Sequence, residues 1–166
     1  TGNLKWRTYT IPAPGEPGSE TWKDKNEAWK TGGGGIWQTG SYDPVNKLYI
    51  FGTGNPYPIY DVQARPGDNL FSDSIVCVEA KTGRRVWHYQ VIHHDIWDWD
   101  LMTGPTLFDV NVDGKPVKAL ASLQIRSARS AAGIPGWARM RSRTRSTVKR
   151  LPSLRMASSM PSVGAS

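Results

Sequence analysis

Ser74-Ile75-Val76-Cys77-Val78-Glu79-Ala80-Lys81-Thr82-Gly83-Arg84-Arg85-Val86-Trp87 is the stretch whose reading decides the fold. Residues 74–79 are a short apolar run of strand length, and residues 84–91 resume as a second one. Between them Thr82-Gly83 breaks the run. Glycine takes a positive φ without penalty, so a strand that ends on Thr-Gly and returns is a hairpin. Trp87 then falls about one strand along from the turn. The chain opens on the same spacing, with Thr1-Gly2 followed by Trp6. Between the two copies, Asp43-Pro44-Val45-Asn46-Lys47 reads as a turn and Leu48-Tyr49-Ile50-Phe51 as the strand after it. Further on, residues 116–123 read as another strand. Short strands, turn punctuation and a repeated Trp point to an all-β propeller or solenoid. Residues 1–124 are rich in Gly and Pro and carry no sustained 3.6-residue periodicity, which argues against helices.

The charge divides the chain in two. Its net charge is +7, but residues 1–124 hold 12 Lys and Arg against 14 Asp and Glu, whereas residues 125–166 hold 9 and none. The basic character belongs to the tail, which runs through Arg139-Met140-Arg141-Ser142-Arg143-Thr144-Arg145 without apolar periodicity. We therefore divide the sequence into a β unit, residues 1–124, and an Arg/Ser-rich tail, residues 125–166, expected to be disordered or translated from a shifted frame. A basic arm for nucleic acid is the competing reading of the tail. It rests on the tail alone, and no nucleic-acid partner is expected. The single cysteine, Cys77, lies in an apolar run and reads as a small buried hydrophobe. No run of about 18 apolar residues suggests a membrane span. No leader peptide is visible, so an export signal would lie upstream of Thr1.

Residues 11–35 read as an excursion from the sheet, because Ile11-Pro12-Ala13-Pro14-Gly15-Glu16-Pro17-Gly18 suits neither strand nor helix. Three clusters around it could carry chemistry. In Gly32-Gly33-Gly34-Gly35-Ile36-Trp37 the glycines allow close backbone approach. Trp37 is then either a core residue or a platform for a planar ligand. In Phe51-Gly52-Thr53-Gly54-Asn55-Pro56 the amide oxygen of Asn55 suits a hard cation, or Asn55 is a plain turn residue. The third is His93-His94-Asp95-Ile96-Trp97-Asp98-Trp99-Asp100. In an extended chain Asp98 and Asp100 share a face, where their repulsion calls for a cation between them. A carboxylate beside that cation could also serve as a general base. The plainer reading is an exposed acidic turn with Trp97 and Trp99 packed beneath. Adjacent His93 and His94 point opposite ways on a strand, so one of them is expected to be a hydrogen-bonding structural histidine.

Taken together and in order, these clusters, with Arg65-Pro66-Gly67-Asp68-Asn69 and the Trp motif of residues 80–87, resemble the pyrroloquinoline quinone (PQQ)-dependent alcohol and glucose dehydrogenases. The resemblance covers residues 1–124. It implies a partial eight-bladed β-propeller, an internal piece of about two to three blades, in a periplasmic enzyme. It implies that Trp37 stacks under PQQ with Gly35 beside it, and that Asn55, Asp98 and Asp100 hold a metal. It implies too that Asp98 is the base that takes the hydroxyl proton as hydride passes to PQQ. An acid at position 100 suits a lanthanide ion, and its lack would suit Ca²⁺. Many relatives carry Thr at the place of Gly35, and the family's metal-binding Glu belongs upstream of Thr1. The implied partners are a small alcohol or sugar and, in the full-length protein, cytochrome c or a quinone as electron acceptor. No Cys-x-x-Cys-His haem motif is present in this sequence. Oxidation of primary alcohols to aldehydes is the leading expectation. The alternatives are a PQQ-dependent glucose or polyol dehydrogenase and a non-enzymatic β-propeller scaffold. Such a piece alone is expected to be inactive and poorly stable.

Overall fold

The computed structural model describes residues 2–25, 27–101, 103–124 and 145–150. Strands β1 (Ser41–Asp43), β2 (Leu48–Gly52), β3 (Ser74–Glu79) and β4 (Arg85–Gln90) form a four-stranded antiparallel meander in chain order. Strands β5 (Thr106–Val112), β6 (Lys115–Gln124) and β7 (Arg145–Arg150) form a second antiparallel sheet. Two sheets stand at the lower end of the two to three blades expected. The hairpin that opened the argument is β3–β4, with Cys77 opposite Trp87 and Gly83 at φ 73° in the turn. The β1–β2 turn is also as read: the Asp43 carboxylate accepts the Val45 and Asn46 amides.

β3 is buried on both faces, which is why it reads as a continuous apolar run rather than an alternating one. Ile75 and Cys77 face one side with Leu48 and Ile50, and this cluster continues into Leu101 and Leu120 beside the second sheet. Val76 and Val78 face the other side with Phe51 and Phe71. There Trp6 closes the layer. Its indole Nε1 donates to the Ala80 carbonyl at 3.0 Å, and its ring lies so close over Gly83 that any Cβ there would overlap it. The hydroxyl of Thr8 donates to the Gly83 carbonyl at 2.7 Å. The Trp of the first Thr-Gly-x-x-x-Trp copy thus seats on the turn of the second. Cys77 is fully buried and free, as expected of it.

The excursion over residues 11–35 contains two short 3₁₀ turns, Ser19–Thr21 and Ala28–Lys30. It is tied to the sheet by Lys23 N–H to Pro66 O, Asn69 N–H to Thr21 O and the Trp22 indole to Leu70 O. Of the tail, only residues 145–150 are described. They pair with β6, whose outer edge would otherwise present unpaired backbone groups. The remainder of the tail, and with it the basic-arm and shifted-frame readings, lies outside the described residues. Among the described residues no helix is long and apolar enough to cross a membrane.

Candidate active site

Three loops leave the ends of this sheet and meet. β2 runs out at Gly52, and Thr53 anchors the exit: its hydroxyl donates to Phe71 O at 2.6 Å and accepts the Ser74 amide at 2.9 Å. Beyond it, residues 54–57 lie antiparallel to the glycine run. Gly54 N–H reaches Gly35 O at 3.0 Å, Gly34 N–H reaches Asn55 O at 2.8 Å, and Tyr57 N–H reaches Gly32 O at 3.0 Å. Gly33 sits at φ 81° with the Asn55 carbonyl where a Cβ would be, so this pairing needs glycine. Two of the three clusters singled out in the sequence are therefore one structural unit.

The third joins them through a carboxylate. Asp100 Oδ1 accepts the Asn55 backbone N–H at 2.8 Å. The indole of Trp37 lies across Gly54, so that a side chain at 54 would strike both the ring and Asp100. Trp37 is nevertheless 49% exposed, which leaves ring surface open to a planar guest. At Gly35 an added Cβ meets only the Trp37 ring, at 3.7 Å, which is ordinary van der Waals contact. Asn55 is buried, and its Nδ2 donates to the Pro56 carbonyl at 3.1 Å. That bond engages the amide's nitrogen and assigns its oxygen, the end a hard cation takes, to the other side.

One expectation is corrected. Residues 93–100 are not an extended strand with Asp98 and Asp100 on a shared face. Asp98 sits at φ 62° in a curled segment. The cause is Asp95, whose carboxylate accepts the Trp97 and Trp99 amides, both at 3.0 Å, from either side of Asp98. Trp97 and Trp99 stack with ring centres 6.0 Å apart. Asp98 and Asp100 still feel each other. The Asp100 carboxyl is held above the usual range by burial, with the charges of Asp98 and Asp95 adding and the Asn55 amide opposing. His94 is the hydrogen-bonding histidine, its Nδ1 meeting the Gly67 carbonyl at 2.7 Å.

Beneath the loops lie Asp73, which no motif flagged, and Arg65, which belongs to the 65–69 stretch but was given no role. Asp73 is fully buried, and neither carboxyl oxygen has a hydrogen-bond partner. Burial, with the charges of Asp95, Asp100 and Asp98 adding and Arg65 opposing, pushes its pKa up to about 9. Arg65 is fully buried as well, and its donors go to loop carbonyls and to Asn69 Oδ1. The signal available was an Asp just ahead of an apolar strand and an Arg in a Pro-Gly loop, both ordinary on their own.

The donors match one side of a hard-cation site. Asp98, Asp100 and the Asn55 amide are oxygen ligands of the right class, and a cation would offset the charges of Asp98 and Asp95 that add to the burial raising Asp100. They do not make a full cage: among the described residues no three His, Cys, Asp or Glu side chains gather as a metal-holding group. Further oxygens would have to come from elsewhere.

The family model of the PQQ glucose/ethanol/alcohol dehydrogenase β-propeller domain matches residues 1–126. The quinohemoprotein alcohol dehydrogenase ADH IIB of Pseudomonas putida is 40% identical over 134 residues, which cover 72% of this chain and 19% of that protein. A lanthanide-dependent methanol dehydrogenase of Methylorubrum extorquens is 39% identical over 133 residues, covering 69% of this chain and 22% of that protein. Among solved structures, the quinohemoprotein alcohol dehydrogenase ADHIIG of Pseudomonas putida HK5 superposes with a TM-score of 0.65 at 36% identity, over 78% of this chain and 21% of that one. The chain spans about a fifth of the length of the relatives it matches. With the Trp-on-turn sheet, the paired glycine loops and the acid cluster all inside the matched region, this chain belongs to the PQQ glucose/ethanol/alcohol dehydrogenase β-propeller family.

Proposed function

We propose that this chain is a section of a longer PQQ- and metal-dependent dehydrogenase that oxidises primary alcohols to aldehydes. The observation that carries this reading is the meeting of three loops, where Asp100 bonds the Asn55 amide and Trp37 lies across Gly54. Trp37 offers the wall against which a tricyclic quinone stacks, and Gly54 keeps that ring in place. Asn55, Asp98 and Asp100 would hold one side of the cation. When bound, PQQ supplies the two-electron acceptor and the cation supplies the Lewis acid. The work left to this chain is a proton transfer: the Asp98 carboxylate takes the substrate hydroxyl proton. Asp95 orients it by fixing the amides on both sides. The longer protein would work in the periplasm and pass its electrons to cytochrome c or a quinone.

The test is reconstitution of the full-length protein with PQQ and with Ca²⁺ or a lanthanide, followed by dye-linked oxidation of ethanol and of glucose. Ethanol turnover is expected. Asp98→Asn should keep the PQQ absorbance and lose activity by about 10²–10⁴-fold, the usual worth of a positioned base. Failure to take up PQQ would refute the reading and leave a scaffold. Glucose turnover without ethanol turnover would replace the substrate. Asp100→Ala should abolish any preference for lanthanide over Ca²⁺, and an unchanged preference would remove Asp100 from the metal site.

A further inference from the structure

We propose that Arg65 is a positioning residue that sets the spacing between the Asn55 loop and the Asp98 loop. The inference rests on the function proposed above for those loops. The guanidinium is fully buried and divides its donors between them. Nε donates to the Pro58 carbonyl at 2.7 Å. Nη1 donates to Asn69 Oδ1 at 2.9 Å. Nη2 donates to the Ile59 carbonyl at 2.6 Å and to the Asp95 carbonyl at 2.5 Å. One nitrogen atom therefore joins the segment that follows Asn55 to the segment that precedes Asp98.

Each connection is stiff. From Ile59 back to Asn55 the chain passes Pro58 and Pro56, whose rings fix φ. From Asp95 forward, its carboxylate grips the amides of Trp97 and Trp99, so a displacement of residue 95 is passed directly to Asp98. The circuit closes on the far side through the Asn55 amide and Asp100. Arg65 is itself held: Asn69 Nδ2 donates to the Arg65 carbonyl at 2.9 Å, and the Asn69 amide is tied to Thr21 O. A planar fork with fixed angles can serve these acceptors at once, whereas an ammonium is a point donor on a flexible stem. Losing the fork leaves loop carbonyls at 58, 59 and 95 to find other partners, and each buried one left without a partner costs stability.

The test uses Arg65→Lys, which keeps the charge and removes the fork, in the full-length protein. In the cofactor-free state, amide exchange at Trp97 and Trp99 should quicken by about tenfold or more while β3 amides keep their rates. In the reconstituted state, europium luminescence titration should show metal affinity weakened by about 10–100-fold, the usual effect of losing an outer support of a metal site. The kcat for ethanol should fall with little change in KM. Unchanged exchange at Trp97 and Trp99 overturns the positioning role. So does faster exchange that leaves metal affinity and kcat at wild-type values, because the loops would then move without consequence for the site. If exchange quickens but wild-type protein takes up neither PQQ nor europium, the loop linkage stands and the proposed function fails.

Discussion

Replacing Asp73 by Asn should stabilise the protein at neutral pH and leave it unchanged in acid. In the folded chain the Asp73 carboxyl keeps its proton up to about pH 9, because it is buried among Asp95, Asp100 and Asp98 and has no hydrogen-bond partner. In the unfolded chain the same carboxyl releases its proton near pH 3.9. Between those values the native state binds the extra proton, so stability falls as pH rises through that window, and the full contribution is present only below about pH 4. At pH 7 the gap is about three pH units at about 1.4 kcal/mol each, or about 4 kcal/mol. Asn has the same shape and carries no charge in either state. Its amide ends are as unpartnered as the acid's, so the hydrogen-bonding loss nearly cancels. At about 2.1 cal/mol/K of unfolding entropy per residue, a cooperative propeller of about 600 residues shifts by about 0.8 °C per kcal/mol, which makes the expected gain in Tm roughly 3 °C at pH 7. The assay is thermal unfolding of the metal-free full-length protein, wild type and Asp73→Asn, from pH 4 to 9.5. The two should coincide near pH 4 and diverge as pH rises. A constant difference at every pH, or none, would show that Asp73 is not a buried neutral acid.

Gly54→Ala should displace the Trp37 indole, since a Cβ at 54 overlaps the ring and approaches Asp100 Oδ1 at 2.8 Å. PQQ affinity should drop at least tenfold with little change in Tm, read by the quinone absorbance on titration, and wild-type binding would place the planar guest elsewhere. Cys77 should resist thiol reagents in the native protein, because burial, with the charge of Asp43 adding, pushes its thiol up to about 12 and closes it from solvent. Prompt labelling under native conditions, at a rate independent of denaturant, would contradict that burial.

The hairpin at β3–β4 and strand β2 were legible because both faces of β3 are buried and the turn carries its own chemistry in Thr82-Gly83. The two shortest clues failed in different ways. β1 has three residues beside a turn and no apolar pattern, and it exists only because β2 offers an edge to pair with. The curl at Asp98 is written in Asp95, whose carboxylate takes two amides that a strand would have used elsewhere. A local competition of that kind has no periodicity to read. Trp37, Asn55 and Asp100 were singled out through their sequence neighbours, and the structure sets the Asn55 loop against Trp37 and Asp100. Asp73 was not singled out, and Arg65 was quoted in the 65–69 stretch without a role, because what marks them is burial without partners in one case and burial among carbonyls in the other. Both are properties of the assembled loops.

The seating of Trp6 on Gly83 makes a grammar for exchanging repeats. The indole comes from one copy of the motif and the vacant space from another, 77 positions later. A chimaera cut between a Thr-Gly turn and its own Trp would keep each turn with the Trp that docks on it only if the copy upstream comes from the same parent. One that brings in a bulkier turn residue loses the seat for a Trp it never touched in sequence. Repeats of this fold are therefore better traded as overlapping pairs than as single sheets.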